Sequence, residues 1–448
     1  MINTDRPLLF QSTRETSSTH AIKASEAIKN GLAQDGGLYV PQFFPNFSNT
    51  PNLEKLNLPE LAPIILKPFF QSDFLFPYLE EICQKAFNFP VPLRKLKNSP
   101  HFVLELFHGP TCAFKDFAAR FLALSLAKLY PLSSDKNHQN KMPMVLVATS
   151  GDTGSAVADA FEAFTNIPVT ILFPKDKVSL RQKKQLTYFQ KNTRAFEVDG
   201  TFDDCQKLVK NAFLSSQFQS SFHLISANSI NLARLLPQMC YFAYASLQYF
   251  KQTQKNASFI IPSGNMGNAT GAIWAKQMGF PIDRIIFAFN SNHSVTDYFQ
   301  NGAWSPHPSI ATLANAMDVG NPSNFERIRH LYSKLQDLKN ISFAFNVTDQ
   351  AIINKIKKDF HEHELWCPHS AVAASYLDSS TFPVFGNEII VATAHPAKFE
   401  SIIEPIIQDP IEIPPLLKKQ IEHHHQSELI ANDLSILFHQ MTKKKYNL

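Results

Sequence analysis

Lys115 stands in the string HGPTCAFKDF with Phe114 before it and Phe117 two positions after, and this company bears on its charge. Apolar surroundings disfavour an ammonium ion and lower the pKa of a lysine, which leaves a neutral amine able to form a Schiff base with an aldehyde. The alternative is a lysine that lays its stem along an apolar surface and keeps its amine in water. The glycine distribution helps to choose between them. The chain has 14 glycines in 448 residues, where typical usage is about 7%. Most of them gather in a few short places: Gly31, Gly36 and Gly37; Gly109; Gly151 and Gly154; and Gly264, Gly267 and Gly271. A chain that is sparing with glycine and then concentrates it marks turns where backbone approaches a ligand.

Two of these places share a layout. VLVATSGDTGSAVADAF (Val145 to Phe161) and SFIIPSGNMGNATGAIWA (Ser258 to Ala275) each read as an apolar strand, a glycine turn and a helix. A helix start after such a turn directs backbone N–H groups and partial positive charge outward, which favours a phosphate or carboxylate. Neither loop fits GxGxxG or GxxxxGK[ST], which counts against a nucleotide-dependent transferase. Read singly, each is also consistent with a capped helix after a tight turn. Together with Lys115 they suggest a phosphorylated aldehyde cofactor and an anionic substrate.

With these strings in view, the chain resembles the threonine synthase family, within the pyridoxal-phosphate enzymes of the tryptophan-synthase β type. Ser12 to Pro41 is similar to the family's N-terminal signature, and HGPTCAFKDF, ATSGDTGSA, NSINLARLLPQ, PSGNMGN, NPSNFER, CPHSAVA and TAHPAKF follow in the family's order. Cys112, Met266, Cys367 and Ser370 depart from the residues usual at those places, leucine, phenylalanine, aspartate and threonine. The resemblance implies fold type II, with two α/β domains of mostly parallel sheet, and the cofactor pyridoxal 5'-phosphate. It assigns the Schiff base and the proton transfers to Lys115. It places the cofactor phosphate on Gly264, Asn265, Met266 and Gly267, with a side-chain contact from Asn268, and the pyridine nitrogen against Thr393. Ser150, Gly151 and Thr153 would receive the substrate carboxylate. Asp152 would lie near the cofactor hydroxyl, where a carboxylate needs a compensating cation or proton.

The implied substrate is O-phospho-L-homoserine, converted with water to L-threonine and orthophosphate by γ-elimination and β-addition. Its phosphate needs a cation. Arg234, in a helix expected to begin near Ser229 and beside Asn228 and Ser229, is the first candidate. Lys175, Lys177 and Arg181 compete, unless their run is a solvated helix face. The Gly31 to Gly37 segment is expected to help cover the site.

The supporting architecture is legible from Met144 onward. The segments PVTILF, RAFEV, FHLISA, SFIIP, RIIFAF and EIIVATA alternate with helical patterns, which argues for parallel sheet covered by helices. Expected units are an N-terminal region (1–95), a large cofactor-binding domain (96–143 and 235–448) and a small α/β domain (144–234). Net charge is 42 minus 38, or +4, too mild to argue for nucleic acid or a membrane surface. Five scattered cysteines, none spaced CxxC, and no secretory signal or long apolar span suggest reduced thiols and a cytoplasmic enzyme, a monomer or homodimer. No metal site is expected. His423, His424 and His425, the pair His361 and His363, and Lys443 to Lys445 lack catalytic spacing. Two further alternatives are a serine or threonine dehydratase-like lyase and a non-catalytic binding protein. The first would not need substrate phosphate; the second would be expected to have lost Lys115 or a glycine turn.

Overall fold

Runs such as Phe259-Ile260-Ile261 and Ile389-Ile390-Val391 are apolar at every position, and in the computed structural model they form central strands buried on both faces. The structure describes residues 7–15, 20–97, 99–131, 141–189, 191–422 and 427–443. His423, His424, His425, Lys444 and Lys445 lie outside the described residues, whereas Lys443 is exposed at a helix end.

The strands are β1 (Phe10–Ser12), β2 (Tyr39–Pro41), β3 (Leu93–Lys95), β4 (Phe102–Glu105), β5 (Met142–Ala148), β6 (Val169–Pro174), β7 (Thr193–Asp199), β8 (Phe222–Ser226), β9 (Ala257–Pro262), β10 (Ile282–Phe289), β11 (Ser342–Asn346), β12 (Glu388–Ala392) and β13 (Glu428–Ala431). The large sheet runs β11-β10-β9-β12-β4-β3 and is parallel except at its β3 edge. The small sheet runs β13-β7-β6-β5-β8 and is parallel throughout. The N-terminal pair β1-β2 is antiparallel. Helix Lys115–Leu129 carries the chain from the large sheet towards the small one, and helix Leu232–Thr253 brings it back; the two pack on each other.

Two boundaries differ from expectation. β3 falls within 1–95 yet joins the large sheet, and β13 falls within 235–448 yet forms the outer strand of the small sheet, with Glu428 opposite Phe196. The physical cause of the second is apolar: Ile430, Leu437 and Met441 are buried against Phe196, Val198 and Phe218. Among the described residues, no helix is long and apolar enough to cross a membrane. All five cysteines are free and buried.

Candidate active site

Lys115 begins the helix Lys115–Leu129, after a turn that Asp116 closes. The Asp116 carboxylate accepts from Thr111 N at 2.9 Å and from Thr111 Oγ1 at 2.6 Å. A Cβ on Gly109 would lie 2.4 Å from the same carboxylate, so the turn requires glycine there. The turn docks on the end of β12: Phe114 N donates to Thr393 O at 2.8 Å, His395 N donates to Cys112 O at 3.0 Å, and Ala113 bridges Ala394. Residues distant in sequence, Lys115 and Thr393, therefore share one cavity of about 1050 Å³. Burial lowers the pKa of Lys115; Asp152 opposes this, while Lys398 and Arg234 add to it. Among the described residues, neither the Lys115 amine nor the Thr393 hydroxyl has a hydrogen-bond partner. Thr393 N is held by Ser370 Oγ at 3.1 Å, so the serine at this departure from the family strings keeps a structural hydroxyl. Cys367 Sγ, 3.1 Å from that hydroxyl, caps the helix Pro368–Ala374.

The turn after β9 has few internal demands on its backbone donors. Among the described residues, the N–H groups of Gly264, Asn265, Met266 and Gly267 have no acceptor. Met266, with φ of 57°, swings the chain into the helix Gly267–Gln277, whose N-terminus opens on the cavity. Side chains do the bracing instead. Asn268 Oδ1 accepts from Ser263 Oγ and from Ala269 N, both at 2.9 Å, and Asn268 Nδ2 donates to Pro262 O at 2.9 Å. One N–H of the Asn268 amide is thus committed to the turn, and the residue lines the cavity. Asn265 Oδ1 accepts from Ser323 N at 2.6 Å, and its Nδ2 donates to Ser229 Oγ at 3.0 Å. A Cβ on Gly264 would lie 2.8 Å from Ala316 O and 2.9 Å from Met317 Cα. His369, which the sequence reading missed, lines the cavity and accepts from Ala316 N through Nε2 at 3.1 Å. Burial lowers its pKa to about 4 against the pull of Asp152, so it is neutral at ordinary pH.

The turn after β5 is built differently. Thr149 Oγ1 accepts from Gly151 N at 3.0 Å and from Gly154 N at 2.9 Å. Gly151 is thus not a substrate contact as expected: its N–H is occupied, and it does not line the cavity. Its φ of 132° and lack of a side chain serve another purpose, because a Cβ there would sit 2.5 Å from Gln182 Nε2, which donates to Asp152 Oδ1 at 3.0 Å. Asp152 is buried at the start of helix Asp152–Phe161. Its cation is Lys398, fully buried, with Nζ 3.3 Å from Asp152 Oδ1 and donating to Thr111 O at 2.5 Å. Burial alone would push the Asp152 carboxyl up, but Lys398, then Lys115 and His369, hold it well below the usual carboxylate range. Ser150 and Thr153 line the cavity beside it.

Helix Leu232–Thr253 begins three residues later than expected, because Asn231 caps it: Asn231 Oδ1 accepts from Ala233 N at 2.9 Å. Asn228 is held by Ala148 O at 3.1 Å, and Ser229 Oγ accepts from Asn324 Nδ2 at 3.1 Å. Arg234 is 4% exposed, lines the cavity, and has buried Nε and Nη1 atoms without a partner. Burial lowers its pKa to about 10, opposed by Asp116. A buried guanidinium in that state calls for an anion. The competing cations are placed otherwise: Arg181 donates to Ala397 O and Glu404, and Lys175 and Lys177 are not on the cavity wall. A second buried arginine, Arg327, also escaped the sequence reading. It donates to Tyr39 O, Ser229 O, Ile230 O and Asn324 Oδ1, which knits β2 to the cavity loops. Arg14, Leu32 and Gly36 complete the wall from the N-terminal side.

The family model described as pyridoxal-phosphate dependent enzyme matches residues 86–387, and that of the threonine synthase N terminus matches residues 9–87. Threonine synthase of Buchnera aphidicola subsp. Schizaphis graminum is 37% identical over 419 residues, covering 93% of this chain and 94% of its own. The crystal structure of threonine synthase from Escherichia coli superimposes with a TM-score of 0.87 at 34% identity, covering 97% of this chain and 99% of that one. The PLP-bound threonine synthase from Brucella melitensis gives 0.85 at 30% identity, covering 97% and 98%.

Proposed function

Because the chain belongs to the threonine synthase family of pyridoxal-phosphate-dependent lyases, we propose that it converts O-phospho-L-homoserine and water to L-threonine and orthophosphate in the cavity around Lys115. The observation that carries this reading is the presence of two anion sites in one cavity. One is the turn Gly264 to Gly267 with its unoccupied N–H groups; the other is Arg234, with buried donors and no partner. A cofactor phosphate suits the first and a substrate phosphate the second.

The residues fit the cofactor. The amine of Lys115 is free and its pKa is depressed, the turn offers four backbone donors, and the Thr393 hydroxyl is open to a ring nitrogen. Bound pyridoxal phosphate supplies the electron sink that acidifies the substrate's Cα–H bond. Lys115 Nζ, whose ammonium form burial disfavours, takes the proton from Cα and is the group placed to move protons at Cβ and Cγ. Arg234 holds the phosphate as its oxygen separates from Cγ. Ser150 and Thr153 orient the carboxylate, with Asn228 and Ser229 beside them. Asp152 keeps its negative charge through Lys398 and biases the positive charge nearby, while His369 stays neutral and braces the phosphate turn through Ala316. Arg14, Leu32 and Gly36 wall the cavity in which water adds at Cβ.

The test combines colour with turnover. The purified protein with cofactor is expected to absorb in the visible and to release phosphate and threonine from O-phosphohomoserine in equal amounts; Lys115→Ala is expected to lose both properties. Arg234→Gln should keep the colour and lose about 100-fold in kcat/KM, the worth of two charge-assisted hydrogen bonds. Ammonia and a 2-oxo acid from serine or threonine, with no turnover of the phosphorylated substrate, would instead establish a dehydratase.

A further inference from the structure

Outside the cavity wall, three atoms able to bind a metal meet from two separate segments: His293 Nδ1, Asp297 Oδ2 and His307 Nε2, all within 4.8 Å of one another. His293 precedes the helix Ser294–Asn301 and Asp297 lies on its first turn, at the i and i+4 spacing that shares one face. His307 arrives on an irregular segment between Gly302 and Asn315. Asp297 Oδ2 is 2.6 Å from His293 Nδ1 and 3.0 Å from His307 Nε2, and the two imidazole rings are 4.8 Å apart at 34°. The side chains are 40%, 30% and 38% exposed, which leaves room for an ion and a water to enter.

We propose that His293, Asp297 and His307 form a site for one divalent cation of the borderline class, Zn²⁺ or Co²⁺, with the fourth position left to water. Two imidazoles and one carboxylate are the donor set such ions take, whereas Ca²⁺ and Mg²⁺ require mostly oxygen. A tetrahedral ion with bonds of about 2.0–2.1 Å holds its ligand atoms about 3.3 Å apart. Two of the three separations differ from that by less than about 1 Å, and the third closes by rotation of the half-exposed imidazoles. Both ring nitrogens must then present lone pairs, so each ring carries its proton on the other nitrogen.

The site is joined to the cavity wall. His307 N donates to Ser294 Oγ at 3.2 Å and to Gly320 O at 3.3 Å, and Ser294 Oγ donates to the same carbonyl at 2.6 Å. A Cβ on Gly320 would lie 1.8 Å from His307 O, so the two segments cross in contact. Three residues on, Ser323 N donates to Asn265 in the phosphate turn. An ion here fastens the helix, the irregular segment and the loop that braces that turn. Its role is structural, and the chemistry at Lys115 does not need it.

The experiment uses the full chain with bound cofactor, with His423, His424 and His425 changed to alanine in every sample so that this triplet cannot take up the ion. Co²⁺ is titrated while visible d–d absorption is followed, and thermal unfolding is measured with and without Zn²⁺. One equivalent of Co²⁺ is expected to produce the absorption, Zn²⁺ to displace it, and Zn²⁺ to raise Tm. His307→Ala and Asp297→Asn should each weaken binding by at least about 100-fold and remove the Zn²⁺ effect on Tm, while keeping the cofactor colour that reports folding. If His307→Ala fails to hold cofactor, His293→Gln and Asp297→Asn decide. Absence of the one-equivalent signal, or a signal unchanged in these variants, overturns the proposal and leaves the cluster a hydrogen-bonded one.

Discussion

The turns after β5 and β9 have the same layout in sequence and different donor occupancy in the fold. After β9, side chains brace the turn and its backbone donors stay open, so the helix start can hold an anion. After β5, Thr149 occupies the N–H groups of Gly151 and Gly154, and the helix start holds an anion of its own, Asp152, matched by Lys398. A glycine turn before a helix is therefore an anion site only to the extent that its donors remain unbonded. The glycines differ accordingly. Gly264 is required by a carbonyl that presses on it, and Gly151 by a side chain that must pass it.

Lys398→Met is the strongest challenge to this contrast. It leaves Asp152 buried without its main partner and is expected to cost ~3–5 kcal/mol of stability at neutral pH. The depressed pKa of Asp152 contributes stability that is present above the unfolded pKa, about 3.9, and lost as pH falls through the folded value. The gap between variant and parent should therefore narrow as pH drops below about 4, and adding Asp152→Asn should restore much of the loss. Urea midpoints across pH measure this, and an unchanged midpoint at pH 7 would show that the turn after β5 holds no essential charge pair. Gly264→Ala should act on the other turn. Crowding against Ala316 O costs ~1–3 kcal/mol and misaligns the open donors, weakening cofactor binding on the order of 100-fold in an absorbance titration while Lys115 is untouched. Thr149→Val is the mildest change. Two buried N–H groups lose their acceptor for ~1–2 kcal/mol, visible as a lower Tm with cofactor affinity nearly unchanged; a large loss of cofactor affinity would mean that both turns serve the same ligand.

Lys115, the two turns and Arg234 were legible in the sequence because each lies in a short string whose neighbours state its environment. The central strands were legible for the same reason, since they are apolar throughout. Lys398, His369 and Arg327 were not, although each lies in a string already singled out, because their partners come from elsewhere in the chain: Asp152, Ala316 and Tyr39. A usable signal existed for one of them. A carboxylate among anion-binding donors needs a cation, and TAHPAKF carried a lysine without a role. The misassignment of Gly151 has a physical source: a sequence gives a donor's identity, and only geometry gives its direction. β13 was missed because Glu428–Ala431 is only four residues long, too short a run to show a strand period.

The late arrival of β13 bears on how the chain folds as it is made. β7 is complete at Asp199, yet the strand that covers its outer edge ends at Ala431, roughly 10–50 s later at about 5–20 residues per second. Through that interval a row of unpaired amides would invite a neighbouring nascent chain. Arg194, Glu197 and Asp199 place charges along that edge, and Arg194 later pairs with Glu428 of the arriving strand at 3.0 Å. The residues that discourage the wrong partner during synthesis thus help to recognise the right one.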